Sequence, residues 1–224
     1  MIAENTKLRL ESEEFLMANV LFISSNDRPV EQAISVQMHQ SFLQSYREAN
    51  PQDTITELNL FDAELPYYGN TMITGLFKLR QGMEPTAEEV KLAGIANFYF
   101  DQFMAADKII FSFPLWNSTV PAPLVTYISY LAQAGKMFTY TAEGPVGMAG
   151  DKKVMLLCAR GGDYSSEQMA AMEMALNLVK SAIYLWGIHN PETVVIEGHN
   201  QYPDRAKEIV ADGLKETAAA GSRF

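Results

Sequence analysis

Trp116 and Asn117 stand in a short loop just after an apolar run, and together they offer a flat aromatic platform beside a polar handle. Such a pair suits a site that holds a planar ring. Arg160–Gly161–Gly162 follows a second apolar run, where two glycines let backbone approach a ligand closely and Arg160 adds a cation. After a third run, Ser25–Asn26–Asp27–Arg28–Pro29 opens a helix, which is how a chain presents N–H groups and a positive dipole end to a phosphate. Ser35, a turn further in, adds a hydroxyl, and Asp163 with Tyr164 gives the glycine loop a polar aromatic tip. Taken singly, each has a plainer reading, because Ser–Ser–Asn–Asp and Gly–Gly are also ordinary turn formers.

The elements that must position these residues follow from hydrophobic periodicity. Ile109, Ile110, Phe111 and Phe113 form a continuous β-favouring run, the mark of a parallel strand buried on both faces. Pro114 removes a ladder donor and Pro121 sets the first turn of a helix to about Ala134, so Leu115–Val120 is a loop at a strand's carboxyl end. Further strands are predicted at Asn19–Ser24, Thr54–Leu60, Lys153–Cys158 and Thr193–Ile196. Helices are predicted at Glu31–Ala49, Met72–Arg80, from a Thr86–Glu89 capping box to Ala105, at Gln168–Leu185 and at Asp204–Ala218. A small hairpin surrounds Glu143–Gly144–Pro145. This βα alternation predicts an α/β domain with a parallel sheet covered on both faces. The loops 25–30, 114–120, 159–164 and 197–203 then converge on one edge, where open α/β sheets bind ligands. A phosphate pocket, an aromatic shelf and a glycine wall on one edge describe a mononucleotide site of the flavodoxin type.

Composition narrows the function classes. The 224 residues carry a formal net charge of -10 without a Lys/Arg cluster, which argues against nucleic acid as a partner. Cys158 is alone in an apolar setting, which fits a buried thiol in a reducing compartment and leaves no cysteine metal cage. No apolar run reaches the ~20 residues of a membrane span, and no signal peptide is recognisable, so a cytoplasmic protein without membrane contact is expected. Gly144–Gly147–Gly150 lacks the dinucleotide-binding spacing, and there is no Walker lysine loop or nucleophile elbow. His39, His189 and His199 read as hydrogen-bonded or surface histidines, and Met169, Met172 and Met174 as core or interface filler. Residues 1–16 read as a dispensable or vector-derived extension before Met17, leaving 17–224 as one domain.

Pro114–Asn117 with Pro121, Ala159–Gly162, Ala134–Lys136 leading to Phe138–Tyr140 and Glu143–Pro145, and Val195–Gly198 together resemble the FMN-dependent NADH-azoreductases, flavodoxin-like azo and quinone reductases of bacteria. The bacillus-type members are the nearest match, over about Met17 to Phe224. The resemblance implies a doubly wound five-stranded parallel sheet in the order 2-1-3-4-5, with helices on both faces. It also implies an FMN-containing homodimer with flavin sites at the subunit interface. NADH would deliver hydride to the flavin and leave before a quinone or azo dye enters, with two such cycles taking an azo bond to two amines. Position by position, Asn26 and Ala33–Ile34–Ser35 would hold the phosphate, with Ala33 standing where many relatives have serine. Pro114, Leu115, Trp116, Asn117 and Ser118 would contact the ribityl chain and ring, Ser118 replacing a larger apolar residue common in the family. Ala159, Arg160, Gly161 and Gly162 would meet the pyrimidine edge, while Tyr140 and Tyr164 would stack or hydrogen-bond in the substrate pocket. The alternatives are a flavodoxin-like electron carrier for a protein partner and a non-catalytic α/β module.

Overall fold

The structure, a computed structural model, describes residues 17–224; the extension predicted for residues 1–16 lies outside the described residues. The elements run β1 (Asn19–Ser24), α1 (Ile34–Ala49), β2 (Thr54–Asn59), α2 (Asn70–Gln81), α3 (Ala87–Ala105), β3 (Lys108–Pro114), α4 (Ala122–Leu131), β4 (Phe138–Thr141), β5 (Gly144–Gly147), β6 (Lys153–Arg160), α5 (Glu167–Ala170), α6 (Met174–Leu185), β7 (Glu192–Glu197) and α7 (Ala206–Arg223). Single 3-10 turns lie at Val30–Gln32 and Pro203–Arg205.

A parallel sheet of five strands has the order β2-β1-β3-β6-β7, which is the 2-1-3-4-5 order once the separate β4–β5 ribbon is set aside. Its apolar runs are explained by burial on both sides. Ile109, Phe111 and Phe113 pack with Phe100, Tyr127 and Val179 from α3, α4 and α6, whereas Ile110 packs with Phe42 and Tyr46 of α1 and Ala220 of α7. Side chains along a strand point alternately to opposite faces, so one unbroken run feeds two cores. On the second face, α1 and α7 lie so close that a Cβ on Gly221 would stand 2.6 Å from the Phe42 carbonyl oxygen. Phe224 caps this contact, its ring 5.8 Å from that of Phe42.

The predicted capping box forms: Thr86 Oγ1 accepts the Glu89 N–H and the Glu89 carboxylate accepts the Thr86 N–H. Four helices differ from the sequence reading, among them α7, which runs Ala206–Arg223 where Asp204–Ala218 is expected. The helix expected from Glu31 begins at Ile34, because Ala33 is extended (φ -132, ψ 103) and separates it from the preceding 3-10 turn. The helix expected after Pro121 stops at Leu131, short of Ala134. The stretch Gln168–Leu185 is interrupted where Glu173 leaves helical geometry and caps α6, accepting the N–H groups of Ala175 and Leu176. That interruption turns Met169, Met172 and Met174 outward; Met172 is 56% exposed, so these residues are not core.

Candidate functional site

The loops after β1, β3, β6 and β7 enclose a cleft of about 450 Å³ at the carboxyl edge of the sheet. Ligand pockets run from roughly 300 to 1,000 Å³, so the space suits a nucleotide-sized molecule. Asn26, Ala33, Ile34, Ser35, Pro114, Leu115, Trp116, Ala159, Arg160 and Gly161, all named from sequence, line it.

One end of the cleft is built to take an anion. The extended Ala33 starts α1 with no side-chain cap and no acidic residue in the first turn. The N–H groups of Ile34 and Ser35 make no bond within the described residues. Four N–H groups at such a terminus need partners, and the helix dipole favours a negative charge there. Asn26 shapes this end: its Oδ1 accepts the Arg28 N–H at 3.0 Å, and its Nδ2 donates to Ser35 Oγ at 2.8 Å. The Ser35 hydroxyl therefore keeps its proton free to donate. Next to Asn26 in the chain, Ser25 is buried with its Oγ unpartnered among the described residues, and it lies behind the cleft lining.

The aromatic wall rests on a strained turn. Trp116 and Thr119 exchange backbone hydrogen bonds of 2.8 and 3.0 Å, closing a two-residue turn with Asn117 at φ 50 and Ser118 at φ 65. Neither is glycine, and left-handed backbone costs an L-residue ~1–2 kcal/mol. The turn is fixed from outside: the Ser118 carbonyl accepts the Met174 N–H at 3.1 Å, and the Trp116 ring packs edge-on against Phe61 at 6.2 Å. Asn117 and Ser118 thus hold Trp116 in the cleft wall without being among the lining residues.

The opposite wall is stitched to the loop after β7. The Gly161 carbonyl accepts the N–H groups of Asn200 and Gln201, and the Gly162 carbonyl accepts that of Gly198. A Cβ on Gly161 would fall 2.3 Å from Asn200 Nδ2, so the close approach that requires this glycine is to the neighbouring loop. Gly162 lies behind the lining, where a Cβ would meet the Tyr164 ring at 3.2 Å. Arg160 is not a free cation: its Nε donates to Glu197 at 2.8 Å, its Nη1 lies 3.5 Å from Glu173, and its guanidinium sits 5.1 Å from the Tyr164 ring centroid. Tyr164 therefore backs Arg160 from outside the lining, with its N–H held by Glu197 at 3.0 Å.

Tyr140 stands apart on the β4–β5 ribbon, 75% exposed and away from the cleft lining. Sequence reasoning passed over Arg28, Glu31, Gln32, His199 and Asn200, which also line the cleft. Arg28 is exposed and leans on Gln32 at 3.5 Å, leaving its guanidinium near the open helix end. His199 has a buried Nδ1 without a partner among the described residues, and burial lowers the imidazole below the ordinary histidine range. The signal for both was their place on carboxyl-edge loops. Cys158, by contrast, lies within the core, its thiol pushed up to about 12 by burial, so it is inert at neutral pH.

Known proteins resemble this chain along nearly all of its described length. The flavodoxin-like fold family matches residues 18–220. An FMN-dependent NADH:quinone oxidoreductase of Bacillus cereus is 60% identical over 93% of this chain and 100% of its own length. A crystal structure of azoreductase from Bacillus anthracis superposes with a TM-score of 0.91 at 54% identity, covering 93% of this chain and 100% of that one. An FMN-dependent NADH-azoreductase from Bacillus anthracis, solved in complex with FMN, gives 0.84 at 26% identity over 92% of this chain and 99% of that one. With the family spanning nearly all described residues and relatives matched along their whole length, the chain belongs to the flavodoxin-like family of FMN-dependent NADH:quinone oxidoreductases and azoreductases.

Proposed function

We propose that this chain is an FMN-dependent oxidoreductase that takes hydride from NADH and reduces quinones and azo compounds. The observation that carries the reading is the uncapped start of α1, which opens into the cleft with the free Ile34 and Ser35 N–H groups beside the Ser35 hydroxyl. A phosphomonoester satisfies all of these groups at once. Bound FMN supplies two-electron hydride chemistry at its ring. The chain supplies position: Ile34 and Ser35 N–H with the Ser35 hydroxyl hold the phosphate, Pro114, Leu115 and Trp116 form one wall for the ring, and Ala159–Gly161 the other. His199, neutral by burial, brings an uncharged imidazole to the same cleft.

A single cleft that serves donor and acceptor in turn accounts for a ping-pong order, in which NAD⁺ leaves before the acceptor enters. Taking an azo bond to two amines consumes four electrons, and NADH brings two, so two cycles are needed. A homodimer with flavin sites at its interface is part of this reading; exposed Tyr67, Phe98 and Tyr140 supply apolar surface for the second copy. Among the described residues no helix is long and apolar enough to cross a membrane, and the lone buried thiol suits the cytoplasm.

The test is spectroscopic. Purified protein reconstituted with FMN is expected to be yellow, to bleach with NADH under anaerobic conditions, and to recover its colour with a quinone or an azo dye. A protein that FMN cannot reconstitute refutes the reading. Flavin that binds but stays oxidised in NADH would instead favour an electron carrier.

A further inference from the structure

Resting on the FMN reading above, we propose that Glu173 is a positioning residue that fixes the charge of the cleft wall through Arg160 and thereby holds the flavin's two-electron potential low. Glutamate is a poor N-cap in its own right, since Ser, Thr, Asp and Asn do that work with shorter side chains. Here its length serves two partners. Glu173 Oε1 accepts the Ala175 and Leu176 N–H groups at 3.1 and 2.9 Å, and the same oxygen lies 3.5 Å from Arg160 Nη1.

Arg160 is the cation of the glycine wall, opposite the end where Arg28 lines the cleft, yet it faces a second carboxylate, Glu197, at 2.8 Å. The side chains of Arg160 and Glu173 are 11% and 5% exposed, so water does little to screen them. Two carboxylates against one guanidinium leave this wall one negative charge in excess, while Arg28 and Glu31, the other charged residues of the lining, offset one another. Glu173 also precedes Met174, whose N–H holds the Ser118 carbonyl at 3.1 Å, so one residue ties the Arg160 wall to the turn that carries Trp116.

The consequence is electrostatic. Hydride transfer oxidises NADH to NAD⁺ and adds two electrons and one proton to the FMN ring, which gains one negative charge. Excess negative charge in the wall raises the energy of that reduced ring more than of the oxidised one. Electrons are therefore released readily to a quinone or azo acceptor.

Anaerobic titration of the FMN-loaded protein against reference dyes tests this. Glu173→Gln is expected to tighten reduced FMN over oxidised FMN by about tenfold, which for a two-electron couple is ~30 mV more positive. Glu173→Asp should restore the wild-type potential in part, and Glu197→Gln, a second route to the same charge change, should move it in the same direction. Ser166→Ala removes the cap of α5, where Met169 N–H donates to Ser166 Oγ at 3.3 Å, without altering charge, and should leave the potential where it is. A potential that is unmoved or more negative in both glutamine variants, with FMN bound, overturns the inference alone, as does an equal shift in Ser166→Ala. Failure of the wild-type protein to bind FMN overturns the underlying reading and the inference with it.

Discussion

Replacing Ala33 with aspartate should stabilise the protein without FMN and weaken FMN binding, two effects of opposite sign from one carboxylate. Ala33 occupies the N-cap of α1 with no side-chain bond to the helix. An aspartate there accepts an N–H of the first turn and complements the dipole, for about 1 kcal/mol. In a domain of this size that raises the melting temperature by roughly 2–4 °C. A phosphate seated on the same N–H groups would then meet a carboxylate a few ångströms away. At ~4 Å and an effective dielectric near 20 the repulsion approaches ~4 kcal/mol per pair of charges. Solvent in the cleft reduces this, and a loss of about 2 kcal/mol, roughly thirtyfold in Kd, is a conservative expectation. Ala33→Ser is the matched control, giving the same gain in melting temperature with FMN binding unchanged or tighter. Calorimetry and flavin fluorescence titration read both numbers on the same samples. Wild-type FMN affinity in Ala33→Asp would refute the placement of the phosphate at α1, and an unchanged melting temperature would refute the uncapped terminus.

Other expectations follow from the same geometry. Ser118→Gly relieves left-handed backbone at φ 65 and should raise stability by about 0.5–1 kcal/mol in urea unfolding, after allowing for glycine's greater unfolded-state freedom. Gly161→Ala puts a methyl 2.3 Å from Asn200 Nδ2 and should cost ~1–3 kcal/mol and loosen FMN, while Gly162→Ala, 3.2 Å from a ring edge, should be milder by melting temperature. His39 is lowered below 6.5 by burial, which outweighs Glu57 at 3.9 Å; as pH falls below 6.5 the unfolded chain takes up a proton that the folded one refuses. Stability should therefore fall on acidification, by at most ~1.4 kcal/mol per pH unit from this group. His39→Gln should flatten that slope in urea titrations at pH 7.5 and 5.5.

Strands were legible because a sheet buried on both faces demands unbroken apolar runs, and Ile109–Phe113 has no other economical reading. The Thr86–Glu89 box was legible because both halves lie within one helical turn. What escaped the sequence depends on partners distant along the chain or on backbone states that the residue type disguises. Arg160 read as a free cation since Glu197 is 37 residues away, and only the β6–β7 register of Arg160 with Glu197 joins them. Asn117 and Ser118 gave no sign of positive φ because neither is glycine; the Met174 N–H that secures their turn comes from a different helix. Likewise an alanine at the start of α1 looks like mid-helix sequence, since a poor cap leaves no mark of its own. His199 reads in the sequence as a hydrogen-bonded or surface histidine, and its place in the cleft with Nδ1 buried and unpartnered among the described residues comes from the hydrogen bonds that dock its loop onto Gly161.

The packing of α7 on α1 has a bearing on biosynthesis. The helix that presents the anion-binding end grows from the first βα unit, yet its flank rests on Leu214, Gly221 and Phe224, the Ser41 hydroxyl bonding the Leu214 carbonyl at 3.3 Å. While those residues are still inside the ribosome, Phe42 and Tyr46 pack on Phe22 of the sheet but lack their cover from α7. Flavin acquisition is expected to be complete only once α7 has packed on α1, and a chain truncated within α7 is expected to be colourless.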